Sequence, residues 1–212
     1  MFESLNKVLI LAPHPDDAEF GLGGTIARLK EMGKEVHVAV FSNCEKSTPV
    51  GFEIGAIVKE MYASFDYLGI PKEHQHILDF EVREFPSKRQ EILEALIVLR
   101  KEIQPDLVFL PSSSDVHQDH KTINEEGIRA FKHANLLGYE MPWNNFGFTS
   151  FMYVRLDKKH LDTKIGALNC YETQKHRSYS NVDFVMSLAK IRGIQIQKEY
   201  AESFQLIRFI QM

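Results

Sequence analysis

The stretch "APHPDDAEFGLGG", residues 12–24, sets an imidazole and two adjacent carboxylates directly after an apolar run. A single aspartate is enough to cap the helix predicted to follow, because carboxylates favour the positive end of the helix dipole. Capping accounts for Asp16 or Asp17 but leaves His14 and the other aspartate without a role. These residue types together therefore indicate metal binding or acid–base chemistry.

A second candidate motif, "DVHQDH", spans residues 115–120. His117 and His120 lie three positions apart in it, with Asp119 between them. Taken alone, this motif is explained equally well as a polar surface loop, because a His-x-x-His spacing is common by chance. Its interpretation therefore depends on the first motif.

The two motifs together offer a set of metal ligands. One histidine and one aspartate from the first, with one histidine from the second, give three nitrogen and oxygen donors. Such a set suits zinc or a similar divalent ion with one position left for water, as in catalytic sites. A structural site would be closed and usually built from cysteines, whereas Cys44 and Cys170 belong to neither motif. A bound ion can lower the pKa of water to about 7 and so supply a nucleophile.

Composition narrows the class of protein. The 212 residues, 44% hydrophobic and 25% charged, are typical of one globular domain, which we expect to span residues 1–212. A formal net charge of −4 argues against nucleic acid as a partner. No apolar run approaches the roughly 20 residues of a membrane helix. With no signal-peptide pattern and only two separated cysteines, we expect no membrane insertion and a cytoplasmic location.

Short β-branched runs alternate with longer segments of helical periodicity, as in βαβ units. The predicted strands are 7–12, 35–42, 75–80, 106–111, 150–156 and 203–210. The predicted helices are 19–33, 52–67, 87–103, one ending near 133, 159–174, and 181–197 with an interruption at Gly193. Segment 136–148, rich in glycine, asparagine and aromatic residues, is predicted to be a long loop. The pattern predicts a single-domain α/β fold, a Rossmann-like three-layer arrangement with a mostly parallel sheet flanked by helices.

Both motifs directly follow strongly apolar strands, the first after Ala12 and the second after Pro111. In open parallel sheets, ligands bind at the carboxyl ends of the strands. We therefore expect the two loops to meet over one edge of the sheet, although they are far apart in sequence.

The paired motifs resemble the signatures of the LmbE/PIG-L deacetylase family. "APHPDDAEFGLGG" is similar to its AHPDDE-type signature and "DVHQDH" to its HxDH signature; "LGI", "QPDLVFLP", "GYEMPW", "YETQ" and "YAESF" extend the resemblance over nearly the whole chain. Members are zinc-dependent enzymes that remove N-acyl groups, mostly acetyl, from amino-sugar-containing substrates. The resemblance implies a zinc-dependent N-deacetylase acting on a small N-acetylated amino sugar or its conjugate. It implies one zinc ion per chain, with Fe²⁺ as an alternative, and leaves homo-oligomerisation open.

The resemblance also implies roles for individual residues. The implied metal ligands are His14, Asp17 and His120. Asp16 would be the general base that takes a proton from the metal-bound water. His117 would polarise the substrate carbonyl or its oxyanion and protonate the departing amine. Asp119 would orient an imidazole and raise its basicity.

The chain departs from the family pattern at several positions. Asp115 stands where some relatives have a tyrosine that assists the oxyanion, and Glu19 falls one place later than the final acid of the first signature. An arginine of the second helix has no counterpart in "GFEIGAIVKEM". Candidate substrate-binding residues are Asp115, Arg83 and Trp143. Trp143 would form a stacking wall for a sugar ring, to which Tyr139 and Phe148 would also contribute.

Other histidines and two other functional classes fit the sequence less well. His74 and His76 have a spacing that suits a metal, but the sequence supplies no further ligand beside them, and His37 stands alone. A metallo-β-lactamase-like hydrolase would need a histidine at position 115. A non-catalytic nucleotide-binding module on the same fold would need a phosphate-binding glycine pattern, which "GLGG" does not match, and an acidic first motif repels phosphate.

Overall fold

Two neighbouring strands at the centre of one sheet lead into the two polar motifs. The computed structural model describes residues 5–210, so residues 1–4 and 211–212 of the predicted domain lie outside it. Within the described range the sheet has seven strands: β1 (Lys7–Ala12), β2 (Glu35–Val40), β3 (Gln75–Ile77), β4 (Leu107–Pro111), β5 (Asn135–Tyr139), β6 (Met152–Leu156) and β7 (Tyr200–Arg208).

The strand order is β3-β2-β1-β4-β5-β7-β6. Strands β1 to β5 are mutually parallel, and β7 runs antiparallel to both of its neighbours. Since β1 is paired with β4, the chain reverses its direction of winding between them. This is the place in an open α/β sheet where ligands bind. The predicted single-domain, mostly parallel α/β fold is confirmed.

Helices cover both faces of the sheet: α1 (Asp17–Glu31), α2 (Ala56–Tyr67), α3 (Arg89–Ile103), α4 (Gln118–Ala130), α5 (Lys158–Leu168) and α6 (Val182–Ile194). One apolar core lies between the sheet and α1, α2, α5 and α6, and a second lies between the sheet and α3 and α4. No helix in the part of the chain from 5 to 210 is both long and apolar enough to cross a membrane.

Strand β1 contributes to both cores because successive side chains of a strand point to opposite faces. Val8 and Ile10 belong to the first core, Leu9 and Leu11 to the second, and all four are completely buried. A strand buried on both faces is expected to be apolar throughout, as parallel strands are. The polar residues can begin only where β1 leaves the sheet after Ala12.

The predicted loop 136–148 is wrong at its start, because Asn135–Tyr139 forms the fully buried strand β5. Gly138, and Asn135 just before the predicted loop, have structural roles within the sheet. A side chain at Gly138 would come within 2.9 Å of Ser112 Cα, so only glycine fits there. The Asn135 amide donates to the carbonyl of Asp106 at 2.9 Å. Here tertiary packing overrides a local composition that is typical of loops.

Two predicted helices also differ from the structure. Helix α5 ends at Leu168 rather than 174, and the following turn brings the Tyr171 hydroxyl to 2.8 Å from Glu19 Oε1. Gly193 does not interrupt α6. A Cβ atom at Gly193 would lie 2.6 Å from the carbonyl oxygen of Glu199, so this glycine lets the returning chain pass close to the helix on its way to β7.

A buried carboxylate fixes the position of α1, which carries the first motif. The helix is kinked at Leu22, where φ is −153° and the backbone is not helical. Glu202 of β7 accepts hydrogen bonds from the Gly24 and Thr25 amides, at 3.1 and 2.6 Å, and so caps the second half of the helix. Lys164 of α5 is paired with Glu202 at 2.7 Å, and both side chains are over nine-tenths buried. Neither charge is stable in the interior without the other.

We predict that Lys164→Met lowers the free energy of unfolding by about 3–5 kcal/mol, because it leaves the Glu202 carboxylate buried without a counter-ion. Urea denaturation at pH 7 measures this change. Lys158→Met is the matched control, since Lys158 pairs with Asp162 on the exposed side of the same helix and should change the midpoint little. Equal effects of the two substitutions would show that the buried pair does not hold α1 in place.

Candidate active site

A cavity of about 340 Å³ opens at the carboxyl ends of β1 and β4. Its lining includes seven of the nine site residues expected from the sequence, among them Arg83 and Trp143 of the substrate-binding set, but not Asp115 or Asp119. The residues lining it are His14, Pro15, Asp16, Asp17, Cys44, Ser47, Ile57, Val82, Arg83, His117, His120, Trp143, Asn144, Gln174, Arg177 and Tyr179. The two motifs therefore do converge.

Three atoms from the two motifs form a nearly equilateral triangle. His14 Nδ1 lies 3.3 Å from Asp17 Oδ2, His120 Nε2 lies 3.2 Å from the same oxygen, and the two ring nitrogens are 3.3 Å apart. In tetrahedral coordination with bonds of about 2.0–2.1 Å, neighbouring ligand atoms are about 3.3–3.4 Å apart. The triangle thus has the size of one face of such a tetrahedron, which leaves a fourth position free.

The other nitrogen of each ring is held by a carboxylate. His14 Nε2 is 2.9 Å from Asp119 Oδ2, and His120 Nδ1 is 2.8 Å from Asp115 Oδ2. A ring that donates a proton to a carboxylate on one side presents an unprotonated nitrogen on the other, which is the form that binds a metal. Asp119, in the second motif, therefore orients His14 of the first motif. Asp115, which the sequence suggested as a substrate contact, is instead buried behind His120.

An overlapping set of potential ligands is His14, His117 and Asp119. Asp119 is completely buried and does not line the cavity, and its Oδ2 atom also accepts a hydrogen bond from the Arg83 amide at 2.7 Å. One of the three ligands in this set therefore does not line the cavity. In the first set, all three residues line the cavity. The geometry therefore favours His14, Asp17 and His120.

Charges around the triangle favour a cation. Burial lowers the pKa of His120, but Asp17 and Asp115 outweigh it and bring the pKa to about 10. The pKa of His14 is also raised despite burial, through Asp119 and Asp17. Burial alone would raise the pKa of Asp17, yet the two imidazoles hold it well below its usual range. The carboxylates thus stabilise positive charge at this point, which a proton or a metal ion can provide.

Asp16 has a strained backbone. Its φ of 87° lies in the left-handed region, at a cost of about 1–2 kcal/mol for a residue other than glycine, and its side chain makes no capping hydrogen bond to α1. The simple explanation of Asp16 as a helix cap is therefore not supported. Burial, Asp17 and Glu19 raise the pKa of this carboxyl well above its usual range, which Arg177 partly offsets. Strain of this kind in a cavity is typical of a functional residue.

His117 is placed at the N-cap of α4, where its Nδ1 atom accepts a hydrogen bond from the Asp119 amide at 3.2 Å. Burial, with the neighbouring His120 and His14, lowers the pKa of His117. A neutral imidazole that accepts through Nδ1 carries its proton on Nε2. His117 is therefore a hydrogen-bond donor at the cavity.

The wall of the cavity contains residues that the sequence did not single out. Trp143 stacks on Tyr179, with ring centroids 3.7 Å apart and an 8° angle between planes, and Arg177 lies nearby in the lining. In the sequence, the only sign of the segment around Arg177 and Tyr179 was the similarity of the nearby residues "YETQ" to the family pattern. Tyr139 does not join the predicted wall, because it is buried and donates to the Leu11 carbonyl. Burial raises the pKa of the Cys44 thiol to about 12, so it is neutral at pH 7 and a poor metal ligand.

The architecture and the placement of the cavity define an α/β protein of the Rossmann-like class with its site where the sheet changes its direction of winding. The family profile described as "PIG-L: GlcNAc-PI de-N-acetylase" matches residues 9–131. The chain belongs to this family, as the resemblance of the motifs predicted. Membership leaves no support for a metallo-β-lactamase-like hydrolase.

Individual relatives agree with this assignment. The chain is 30% identical over 202 residues to the diacetylchitobiose deacetylase of Thermococcus kodakarensis, covering 92% of this chain and 70% of the relative. The fold matches N,N'-diacetylchitobiose deacetylase from Pyrococcus horikoshii with a TM-score of 0.81 at 24% identity, covering 97% and 85% of the two chains. It also matches the 4-carboxy-2-hydroxymuconate hydratase GalB of Pseudomonas putida, with a TM-score of 0.76 at 19% identity over 98% of each chain. The fold alone therefore does not determine the reaction.

We predict that Asp115→Asn and Asp119→Asn each weaken zinc affinity by about 10–100-fold, because each removes the carboxylate that orients one imidazole. Competition with a chromogenic chelator measures the affinity. Asp66→Asn, at an exposed position of α2, is the control and should bind zinc like the parent. Unchanged affinity in the first two variants, with the fold intact, would contradict the assignment of these carboxylates.

Proposed function

We propose that this protein is a metal-dependent hydrolase that removes the N-acetyl group from a small amino sugar or its conjugate. The observation that carries the proposal is the triangle of His14, Asp17 and His120 at the cavity. Family membership and the 30% identity to a diacetylchitobiose deacetylase support the substrate class. A cytoplasmic location and a homo-oligomer stay predictions.

The donor set of two imidazoles and a carboxylate fits Zn²⁺, and Fe²⁺ is the alternative. When bound, such an ion supplies Lewis acidity and lowers the pKa of a water molecule at its open position. We assign one ion per chain to His14, Asp17 and His120. Asp115 and Asp119 are positioning residues here, because each acts through an imidazole.

Asp16 is the proposed general base. It lines the cavity beside Asp17 and is free of the capping bond that an aspartate at this position usually makes. Its raised pKa brings the carboxyl nearer to the pKa of an activated water, which favours proton transfer in both directions. The two adjacent carboxylates thus have different roles: Asp17 binds the ion and Asp16 accepts the proton.

His117 is the proposed electrophile and acid. Its Nε2 proton can hydrogen-bond the substrate carbonyl oxygen as negative charge develops there. The water oxygen bonds to the acetyl carbon as Asp16 takes one of its protons, and the carbon–nitrogen bond breaks as His117 protonates the nitrogen. The proton held by Asp16 replaces the one given by His117, and the second water proton passes from the acetic acid to the amine. One amide and one water thus give acetate and the ammonium form of the amino sugar, so atoms and charge balance.

Arg83, Arg177 and Trp143 are proposed to contact the sugar. All three line the cavity, where the guanidinium groups can donate to hydroxyl or anionic groups and the indole offers an apolar surface. Asp115 is withdrawn from this set because it is buried behind His120. A nucleotide-binding module is disfavoured because Asp16 and Asp17 would repel phosphates at the same cavity.

We predict that Asp16→Asn lowers kcat for acetate release by about 100-fold or more while zinc content is retained, because only the proton acceptor is lost. Acetate release from N,N'-diacetylchitobiose and N-acetylglucosamine, together with elemental analysis, provides the two readouts. Asp183→Asn, at an exposed position of α6, is the control. Full activity in Asp16→Asn would exclude this residue as the base, and no acetate from either sugar in the parent would contradict the substrate class.

A further inference from the structure

A second group of imidazoles lies beside β3, the strand at one edge of the sheet, apart from the cavity. His37 is in β2, His76 is in β3, and His74 ends the 3-10 turn just before β3. Parallel pairing of the two strands, with Ala39 opposite His76, brings these segments together. The expectation that no further ligand lies beside His74 and His76 is wrong, because the sheet brings His37 and Glu35 close to them.

The contacts within this group are close. His37 Nε2 is 2.8 Å from Glu35 Oε1, and the rings of His37 and His74 are stacked with centroids 4.0 Å apart. Glu35, His37 and His74 each offer one ligand atom, and these atoms lie within 4.8 Å of one another. Within residues 5–210, the other groups of this kind belong to the cavity.

His76 contacts the ring nitrogen of His37 that does not face Glu35. His37 Nδ1 lies 3.1 Å from His76 Nε2. Two imidazole nitrogens can form this hydrogen bond only if one donates and the other accepts, so at least one ring is neutral. His37 Nε2, on the other side of the ring, faces Glu35 Oε1, so an ion that binds here takes the place of the proton between these two atoms. This is the arrangement by which a neighbour orients a metal-binding histidine.

His74 has an unsatisfied polar atom. Its Nδ1 is buried and lacks a hydrogen-bond partner among the described residues, although buried polar groups are nearly always paired. Glu35, by contrast, keeps 39% of its side chain exposed, so an ion has a path from solvent. Lys7 Nζ, 3.8 Å from Glu35 Oε1, is the cation that now neutralises this carboxylate.

We propose that Glu35, His37 and His74 bind a second divalent transition-metal ion, of which Zn²⁺ is the representative. Two imidazoles and a carboxylate are the donors that such ions prefer. His37 Nε2 and Glu35 Oε1 are closer together than the roughly 3.3 Å of tetrahedral zinc ligands, and the whole set lies within 4.8 Å, so the side chains adjust as the ion binds. The ion joins β2 to the turn before β3 and so holds the three-residue edge strand β3 in place.

The test uses tag-free His14→Ala protein, in which both sets of potential ligands at the cavity are incomplete. Isothermal titration with ZnCl₂ is expected to show one ion per chain at the edge site. Adding His74→Ala should weaken this binding by at least about 10-fold, since losing a direct ligand costs no less than losing an orienting neighbour. Adding Glu35→Gln, at a half-exposed position, should also weaken it. His133→Ala, at an exposed position elsewhere, is the control and should leave it unchanged.

Absence of zinc binding in His14→Ala would overturn the proposal, as would equal binding after the addition of His74→Ala and of His133→Ala. Unfolding midpoints measured without metal show whether each variant is folded. The single variant His74→Ala should retain the parent's rate of acetate release, so failure of this site is distinguishable from failure of the proposed function.

Discussion

The structure depends on the pairing of β1 with β4, two strands separated by about a hundred residues in the chain. Their adjacency brings His14 and Asp17, after one strand, to within 3.3 Å of His120, after the other. Loops at the carboxyl ends of adjacent parallel strands share one edge, so no special loop path is needed. Because β1 is buried on both faces, the polar residues are confined to the point where it surfaces. The fold therefore fixes the place of the site, and the loops fix its chemistry.

The balance of charge is the second constraint on the site at the carboxyl ends of β1 and β4. Three carboxylates, Asp17, Asp115 and Asp119, contact two imidazoles in a largely buried space. Carboxylates buried without a counter-charge are strongly disfavoured, so the cluster requires positive charge. Protonated imidazoles meet this need in the metal-free chain, and a divalent ion meets it while leaving the imidazoles neutral. The acidic residues thus act together to create an affinity for a cation, and Asp16, adjacent but strained, is left available for proton transfer.

Sequence patterns predicted much of this arrangement, for physical reasons that also explain the errors. Strand β1 was predicted with its observed ends, because a strand buried on both faces has an unbroken apolar sequence. Strand β5 was missed because it contains Gly138, a residue type that is typical of loops. Glycine is needed there because Ser112 lies close by, and no local sequence pattern reveals this contact. Arg177 and Tyr179 were missed for a related reason, since a surface loop acquires its place at the cavity only through the tertiary fold. The edge histidines show the same limit, as His37 and His74 meet only across two strands.

The most direct test of the account is anomalous X-ray diffraction at the zinc absorption edge, on crystals of the zinc-loaded protein. The expected result is a peak bonded to His14 Nδ1, Asp17 Oδ2 and His120 Nε2, with the fourth direction open to the cavity. A peak bonded instead to His117 and Asp119, or no peak at the carboxyl ends of β1 and β4, would contradict this assignment of ligands.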